Sequence, residues 1–270
     1  MNKNIRVEDQ SLLRRDAFDA VAEAYDRARP EYPTRLVEDL IAFADIGKGS
    51  RVLEIGPGTG QLSVPLAALG AALVAVEKGP NLAKVARRKL SQFEHAAVVV
   101  ADFDRCEFLP ESFDMVVAAT AFHWLDRSTR LQRCAACLKP GGVVAIVQTR
   151  WGIACKEDRF FAASQRCYAR WDPRHNPAFR QIKPEDVPHQ HDELFNSECF
   201  GKIIHRRYVC AREYNASQYC DLLGTFSNVL TMEPQCRRGF IACISDLIES
   251  EFGGRIVRHD MHDMWLARSL

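Results

Sequence analysis

Between residues 50 and 150, short apolar runs alternate with stretches whose apolar positions recur at helical spacing. Arg51 to Ile55 (RVLEI) reads as a buried strand, Leu62 to Ala68 as a helix, and Leu73 to Val76 as a second strand. Asn81 to Leu90 then predicts a helix, Ala97 to Val100 a third strand, and Phe113 to Ala118 a fourth. Ser128 to Leu138 is helical in pattern, stopped by Lys139-Pro140-Gly141-Gly142, and Val143 to Val147 is a fifth strand. Strands separated by helices of this length form βαβ units, so the expected class is α/β: a doubly wound, mostly parallel, Rossmann-like sheet.

The flanks differ in character. Residues 11–28 carry apolar positions at helical spacing up to Arg29-Pro30-Glu31-Tyr32-Pro33, whose prolines stop the helix. A further helix is expected over Thr34 to Ala44, with Thr34 as its cap. Residues 150–200 read as an irregular-to-helical insert, Lys202 to Ala211 as a strand, Ala216 to Met232 and Gln235 to Phe252 as two helices, and Arg255 to Ala267 as a last strand. The expected organisation is a single domain over 1–270, with cap helices over 1–45, a core over 46–150, an insert with cap helices and strand six over 151–252, and a final strand over 253–270.

Composition narrows the function classes. A formal net charge of +1 gives no whole-chain attraction to nucleic acid or to acidic membranes. The polar start, MNKNIRVEDQ, is unlike a secretory signal, and no run approaches the roughly 18 apolar residues of a membrane span. A cytoplasmic protein without nucleic-acid or membrane partners is therefore expected. The ten cysteines show no repeated spacing, so reduced thiols are the expectation. Cys134 and Cys137 form a CxxC within a helical pattern and read as a plain helix face. His189 with His191, and His259 with His262, lack a third ligand at a zinc spacing and read as surface pairs, so no metal is expected.

The chemistry concentrates at strand ends, where open α/β sheets bind ligands. The first strand runs into Glu54-Ile55-Gly56-Pro57-Gly58-Thr59-Gly60. Glycines there allow positive φ and a close approach of ligand to main chain. A dinucleotide fingerprint would place its third glycine at 61, which is Gln61, so the turn is ExGxGxG instead. Its carboxylate, Glu54, disfavours a pyrophosphate and suits a cationic or amine-bearing ligand. Glu77, followed by Lys78, ends the second strand and can accept hydrogen bonds from ribose hydroxyls. Asp102 follows the third strand with Phe103 beside it, a pairing able to take an adenine amino group and pack on its ring.

These residues resemble the class I S-adenosylmethionine-dependent methyltransferases. The likeness extends to Leu138-Lys139-Pro140-Gly141-Gly142 before strand five. It also includes Phe18 to Tyr25 with Arg29 to Pro33, Ala121-Phe122-His123-Trp124, and Leu223 to Ser227, as in small-molecule methyltransferases of the trans-aconitate and ubiquinone-biosynthesis type. The resemblance implies seven strands in the order 3-2-1-4-5-7-6, with strand seven antiparallel. It implies S-adenosyl-L-methionine as cofactor, with Glu54, Gly56, Gly58 and Gly60 bordering its methionine part and Glu77 its ribose. Asp102 and Phe103 would hold the adenine, Ala119 and Thr120 would meet the sulfonium end, and Tyr25 and Arg29 would close on the carboxylate.

Methyl transfer is an in-line displacement in which the protein chiefly aligns and desolvates. His123 is the candidate base, or else a pocket-shaping residue. Tyr32, Trp124, Trp151 and Tyr168 are candidates for an acceptor pocket or for plain core. The segment after strand four lacks an Asn/Asp-Pro-Pro-Tyr motif, which favours a small-molecule carboxylate, hydroxyl or carbon acceptor. Two other readings share the cofactor motifs: intramolecular displacement releasing methylthioadenosine, and a non-catalytic binder. A dinucleotide oxidoreductase is disfavoured by Gln61.

Overall fold

In a computed structural model, residues 17–156 and 158–270 are described. Two compact units emerge: a sheet unit of Pro30–Thr149, Pro188–Tyr208 and His262–Leu270, and a helical unit of the described residues up to Arg29 with Arg150–Val187 and Val209–Met261.

The elements of the sheet unit follow the apolar pattern closely. Helix α2 (Thr34–Ala44) precedes β1 (Arg51–Ile55), α3 (Ser63–Ala68), β2 (Ala72–Glu77), α4 (Pro80–Leu90), β3 (Ala96–Val100), β4 (Phe113–Ala119) and α5 (Arg130–Cys137). β5 (Leu138–Trp151), α7 (Asp192–Phe195), β6 (Ile204–Asn215) and β7 (Arg255–Arg268) complete it; β5, β6 and β7 also carry residues of the helical unit. The seven strands lie in the order β3-β2-β1-β4-β5-β7-β6, as the resemblance implies. Pairs β1–β2, β1–β4, β2–β3 and β4–β5 are parallel. β7 runs the other way: Ser269 N–H bonds Gly142 O at one end of β5, while Thr149 near the other end bonds His262. Both sheet faces are covered by apolar side chains, with Leu36, Leu40, Leu66 and Met115 in one cluster and Leu53, Ile55, Phe122 and Trp265 in the other.

Local chemistry adjusts several expected boundaries. Pro33, not Thr34, occupies the cap position of α2, and no side-chain cap bond forms there. α5 starts at Arg130 instead of Ser128, because Asp126 accepts from both the N–H and the hydroxyl of Ser128 and holds that residue in a turn. Cys134 and Cys137 lie buried on α5, and burial pushes both thiols up.

The helical unit contains α1 (Ala22–Ala28), α6 (Arg159–Trp171), α8 (Ala216–Leu223), α9 (Ser227–Leu230) and α10 (Pro234–Glu251) around Phe160, Tyr219, Leu223, Phe240 and Ile248. The expected first turns of the opening helix fall on residues 11–16, outside the described residues. The single helix expected over Ala216 to Met232 is two, because Gly224-Thr225-Phe226 interrupts it and Thr225 turns back to donate to Leu222 O at 2.6 Å. α6 and α10 bring Cys167 and Cys243 to a Cα separation of 5.7 Å, where they form a disulfide. This corrects the expectation of reduced thiols throughout: spacing along the chain carries no information about two helices packed 76 residues apart. Among the described residues no helix is long and apolar enough to cross a membrane.

Candidate functional site

The turn after β1 takes backbone torsions that glycine adopts readily. Gly56, Gly58 and Gly60 have φ of 64°, 59° and 89°, all in the left-handed region that side chains resist. Space matters as well as torsion: a Cβ on Gly56 would lie 2.5 Å from Ala121 Cβ, below any normal contact. The Gly56 N–H bonds Val76 O at 2.9 Å and the Gly60 N–H bonds Pro57 O at 2.9 Å, which tie the turn to β2 and to itself.

Two buried carboxylates fence this turn. Glu54, 1% exposed, accepts a 2.6 Å hydrogen bond from the Ser63 hydroxyl at the start of α3. Burial raises its pKa to about 7 against the downward pull of Ser63, and the negative charge of Glu77 adds to the rise. Glu77 bridges two loops: its Oε2 accepts from Gly58 N–H at 2.9 Å and its Oε1 from Gly79 N–H at 2.8 Å. The glycine turn is thus anchored on the same side chain that sequence reasoning assigned to ribose.

At the end of β3, Asp102 forms a 2.9 Å ion pair with Lys78, while its other oxygen caps the short turn through Asp104 N–H at 3.2 Å. Phe103 is buried, with the Phe108 ring 5.9 Å and the Arg133 guanidinium 5.4 Å from its centroid.

The end of β4 holds a feature that no sequence pattern indicated. Thr120 sits at φ 58°, an unusual backbone for a β-branched residue. It is held there by its N–H on Val147 O at 2.7 Å and by side-chain bonds on two sides. Its hydroxyl shares hydrogen bonds of 3.1 Å with the Tyr32 hydroxyl and 3.1 Å with Thr149, and Thr149 in turn meets His262 Nδ1 at 2.9 Å. Strained torsions persist where surroundings over-determine them, and they cluster at functional sites. Tyr32, Thr120, Thr149 and His262 form one polar chain across the ends of β4, β5 and β7. His262 is 2% exposed, which corrects the reading of His259 and His262 as a surface pair. β7 runs inside the sheet, and its residues from Asp260 to Ala267 are all buried whatever their polarity. Ala119, the last residue of β4, is buried beside Thr120.

His123 stands exposed on a short 3-10 turn, its ring 4.6 Å from that of Trp124. His189 meets His205 at 3.1 Å instead of pairing with His191.

The remaining expected site residues belong to the helical unit. Arg29 donates from Nε to the Thr225 hydroxyl and from Nη2 to Thr225 O, both at 2.9 Å. Its guanidinium lies 4.9, 5.0 and 4.8 Å from the ring centroids of Tyr25, Trp151 and Phe226. Trp151 and Tyr168 line a cavity of about 330 Å³ within this unit, whereas Tyr32 and Trp124 are residues of the sheet unit.

Known proteins share this architecture. Residues 53–146 match the family model for a methyltransferase domain. An uncharacterized methyltransferase of Mycobacterium tuberculosis is 35% identical over 134 residues, covering 48% of this chain and 51% of that protein. A ubiquinone biosynthesis O-methyltransferase of Xanthomonas campestris is 34% identical over 139 residues, covering 48% and 57%. The chain thus spans about half the length of these relatives. Among solved structures, phosphoethanolamine N-methyltransferase 2 of Haemonchus contortus, in complex with phosphomonomethylethanolamine and S-adenosylhomocysteine, superposes with a TM-score of 0.55 at 17% identity. That match covers 99% of this chain and 61% of that one. Family model, relatives and strand order agree: residues 53–146 form a methyltransferase domain on a Rossmann-like seven-stranded sheet.

Proposed function

We propose that the protein transfers the methyl group of S-adenosylmethionine to a small-molecule acceptor and releases S-adenosylhomocysteine. The observation that carries this is the positive-φ glycine turn bonded directly to Glu77 and backed by buried Glu54. The arrangement fits the cofactor's chemistry. A buried carboxylate with a pKa near 7 suits a ligand bearing an ammonium and a sulfonium, and would oppose a pyrophosphate. Glu77 presents acceptors for two ribose hydroxyls, and Asp102 one for an adenine amino group beside Phe103. The cofactor supplies a methyl carbon already activated for displacement.

The protein's own residues then orient and exclude water. Ala119 and Thr120, fixed by the Tyr32–Thr149–His262 chain, form a rigid rim at the end of β4. His123 takes a proton from an acceptor that must lose one. Support for a small-molecule ligand comes from the cavity in the helical unit lined by Trp151 and Tyr168, whose size suits a compact metabolite.

Calorimetric titration with S-adenosylhomocysteine tests the site, using Gly58→Leu and Glu77→Ala beside the native chain. Losing a charge-assisted acceptor should weaken binding about tenfold or more. Native affinity in both variants would remove the assignment. Product analysis after incubation with S-adenosylmethionine and a metabolite extract should show S-adenosylhomocysteine; methylthioadenosine would instead indicate displacement by the cofactor's own carboxypropyl arm.

A further inference from the structure

The charge pattern of the cavity in the helical unit identifies a class of ligand. Its walls are rich in ring faces, with Trp151, Phe161, Tyr168, Tyr219 and Phe226 among them, and its polar positions include the amides Gln165, Asn176 and Asn228. Four formally charged arginine and aspartate side chains also line it: Asp172, Arg174, Arg258 and Asp260. Each is matched within the protein. Arg174 Nε lies 3.1 Å from Asp172 Oδ1, and its Nη2 donates to Asn228 O at 2.6 Å. Arg258 Nη1 bonds Asp158 Oδ2 at 2.6 Å, and Asp260 Oδ1 accepts from Arg212 Nε at 3.3 Å. Arg258 and Asp158 are both nearly buried, so that pair is held away from competing water.

These matched charges leave no surplus among the lining arginines and aspartates to receive an ion. A ligand carrying a full charge would shed its hydration without gaining a counter-charge, a cost that an uncharged ligand avoids. Ring-lined walls favour a flat apolar body, and side-chain amides suit hydroxyl or carbonyl groups on its edge. The walls are also fixed in advance. Cys167, next to Tyr168 on α6, is disulfide-bonded to Cys243, next to the lining residue Ile244 on α10. Such preorganisation lowers the ordering cost of binding. The geometry points to an uncharged, planar aromatic compound bearing a hydroxyl or carbonyl group as the occupant of this cavity.

Three isosteric probes test it on the full chain by calorimetry near pH 8: 2-naphthol, 2-naphthoate and 2-naphthylmethylammonium. 2-Naphthol should bind about tenfold or more tightly than either charged probe. Tyr168→Ala should weaken 2-naphthol binding several-fold. Asp172→Asn keeps an acceptor oxygen for Arg174 but removes the matching charge, so it should shift the preference several-fold toward 2-naphthoate. Equal or tighter binding of either charged probe to the native chain would overturn the inference, as would no binding of 2-naphthol or an unchanged preference in Asp172→Asn. S-Adenosylhomocysteine titrated into the same samples reports separately on the methyltransferase reading. Its failure beside normal 2-naphthol selectivity would discard that reading and leave the ligand class standing.

Discussion

Glu54 couples cofactor binding to protonation. In the unliganded chain its carboxyl is raised from 4.5 to about 7, chiefly by burial. The folded state therefore holds this proton more tightly than the unfolded state does. The contribution of this group to stability is full below pH 4.5 and declines as pH rises through 7, by about 3 kcal/mol on the linkage of 1.36 kcal/mol per pKa unit. A ligand that places its ammonium beside Glu54 reverses the preference by stabilising the carboxylate. Its affinity should then be greatest above pH 7 and fall about tenfold between pH 8 and pH 6, where most of the carboxyl must first lose its proton. Titrations with S-adenosylhomocysteine across that range, in buffers of different ionisation enthalpy, should show nearly one proton released at pH 6 and almost none at pH 8. Glu54→Gln should flatten the dependence. It should also make the unliganded chain more stable than the native one at pH 8, since the amide carries no charge to bury. A dissociation constant independent of pH in the native chain, or an equal slope in Glu54→Gln, would refute this account of the site.

Two further expectations concern stability. Gly56→Ala combines a left-handed torsion with a 2.5 Å approach to Ala121 and should cost about 2–4 kcal/mol, read as a lowered midpoint in thermal unfolding. An unchanged midpoint would show that the turn relaxes freely. Reducing the Cys167–Cys243 bond, which closes a loop 76 residues long in sequence separation, should cost about 2–4 kcal/mol. The native chain should then melt lower in reductant while Cys167→Ser melts the same with or without it. Equal melting of the native chain in both conditions would indicate that the bridge contributes little.

The sheet and its cofactor-facing turn were legible in the sequence for a physical reason. Strand and helix periods are set by backbone geometry, so RVLEI, ALVAVE and FDMVVAA declare themselves locally. The glycines at 56, 58 and 60 are the residues that positive φ demands, and Glu54, Glu77 and Asp102 stand at successive strand ends because a parallel sheet repeats its direction. What escaped sequence reading depends on segments meeting far along the chain. Thr149 and His262 are 113 residues apart, Tyr32 and Thr120 are 88 apart, and none has a neighbour in sequence that hints at the partner. A signal existed for Thr225, whose preceding Gly224 can end a helix, but its bond to Arg29 lies 196 residues away. The same holds for the disulfide and for the matched charges of the cavity. Local pattern fixes which residues form each element and which strand ends face a ligand. Packing alone decides which hydroxyls share a proton, which thiols join and which charges cancel, because those depend on distances that only the folded chain brings within a few ångströms.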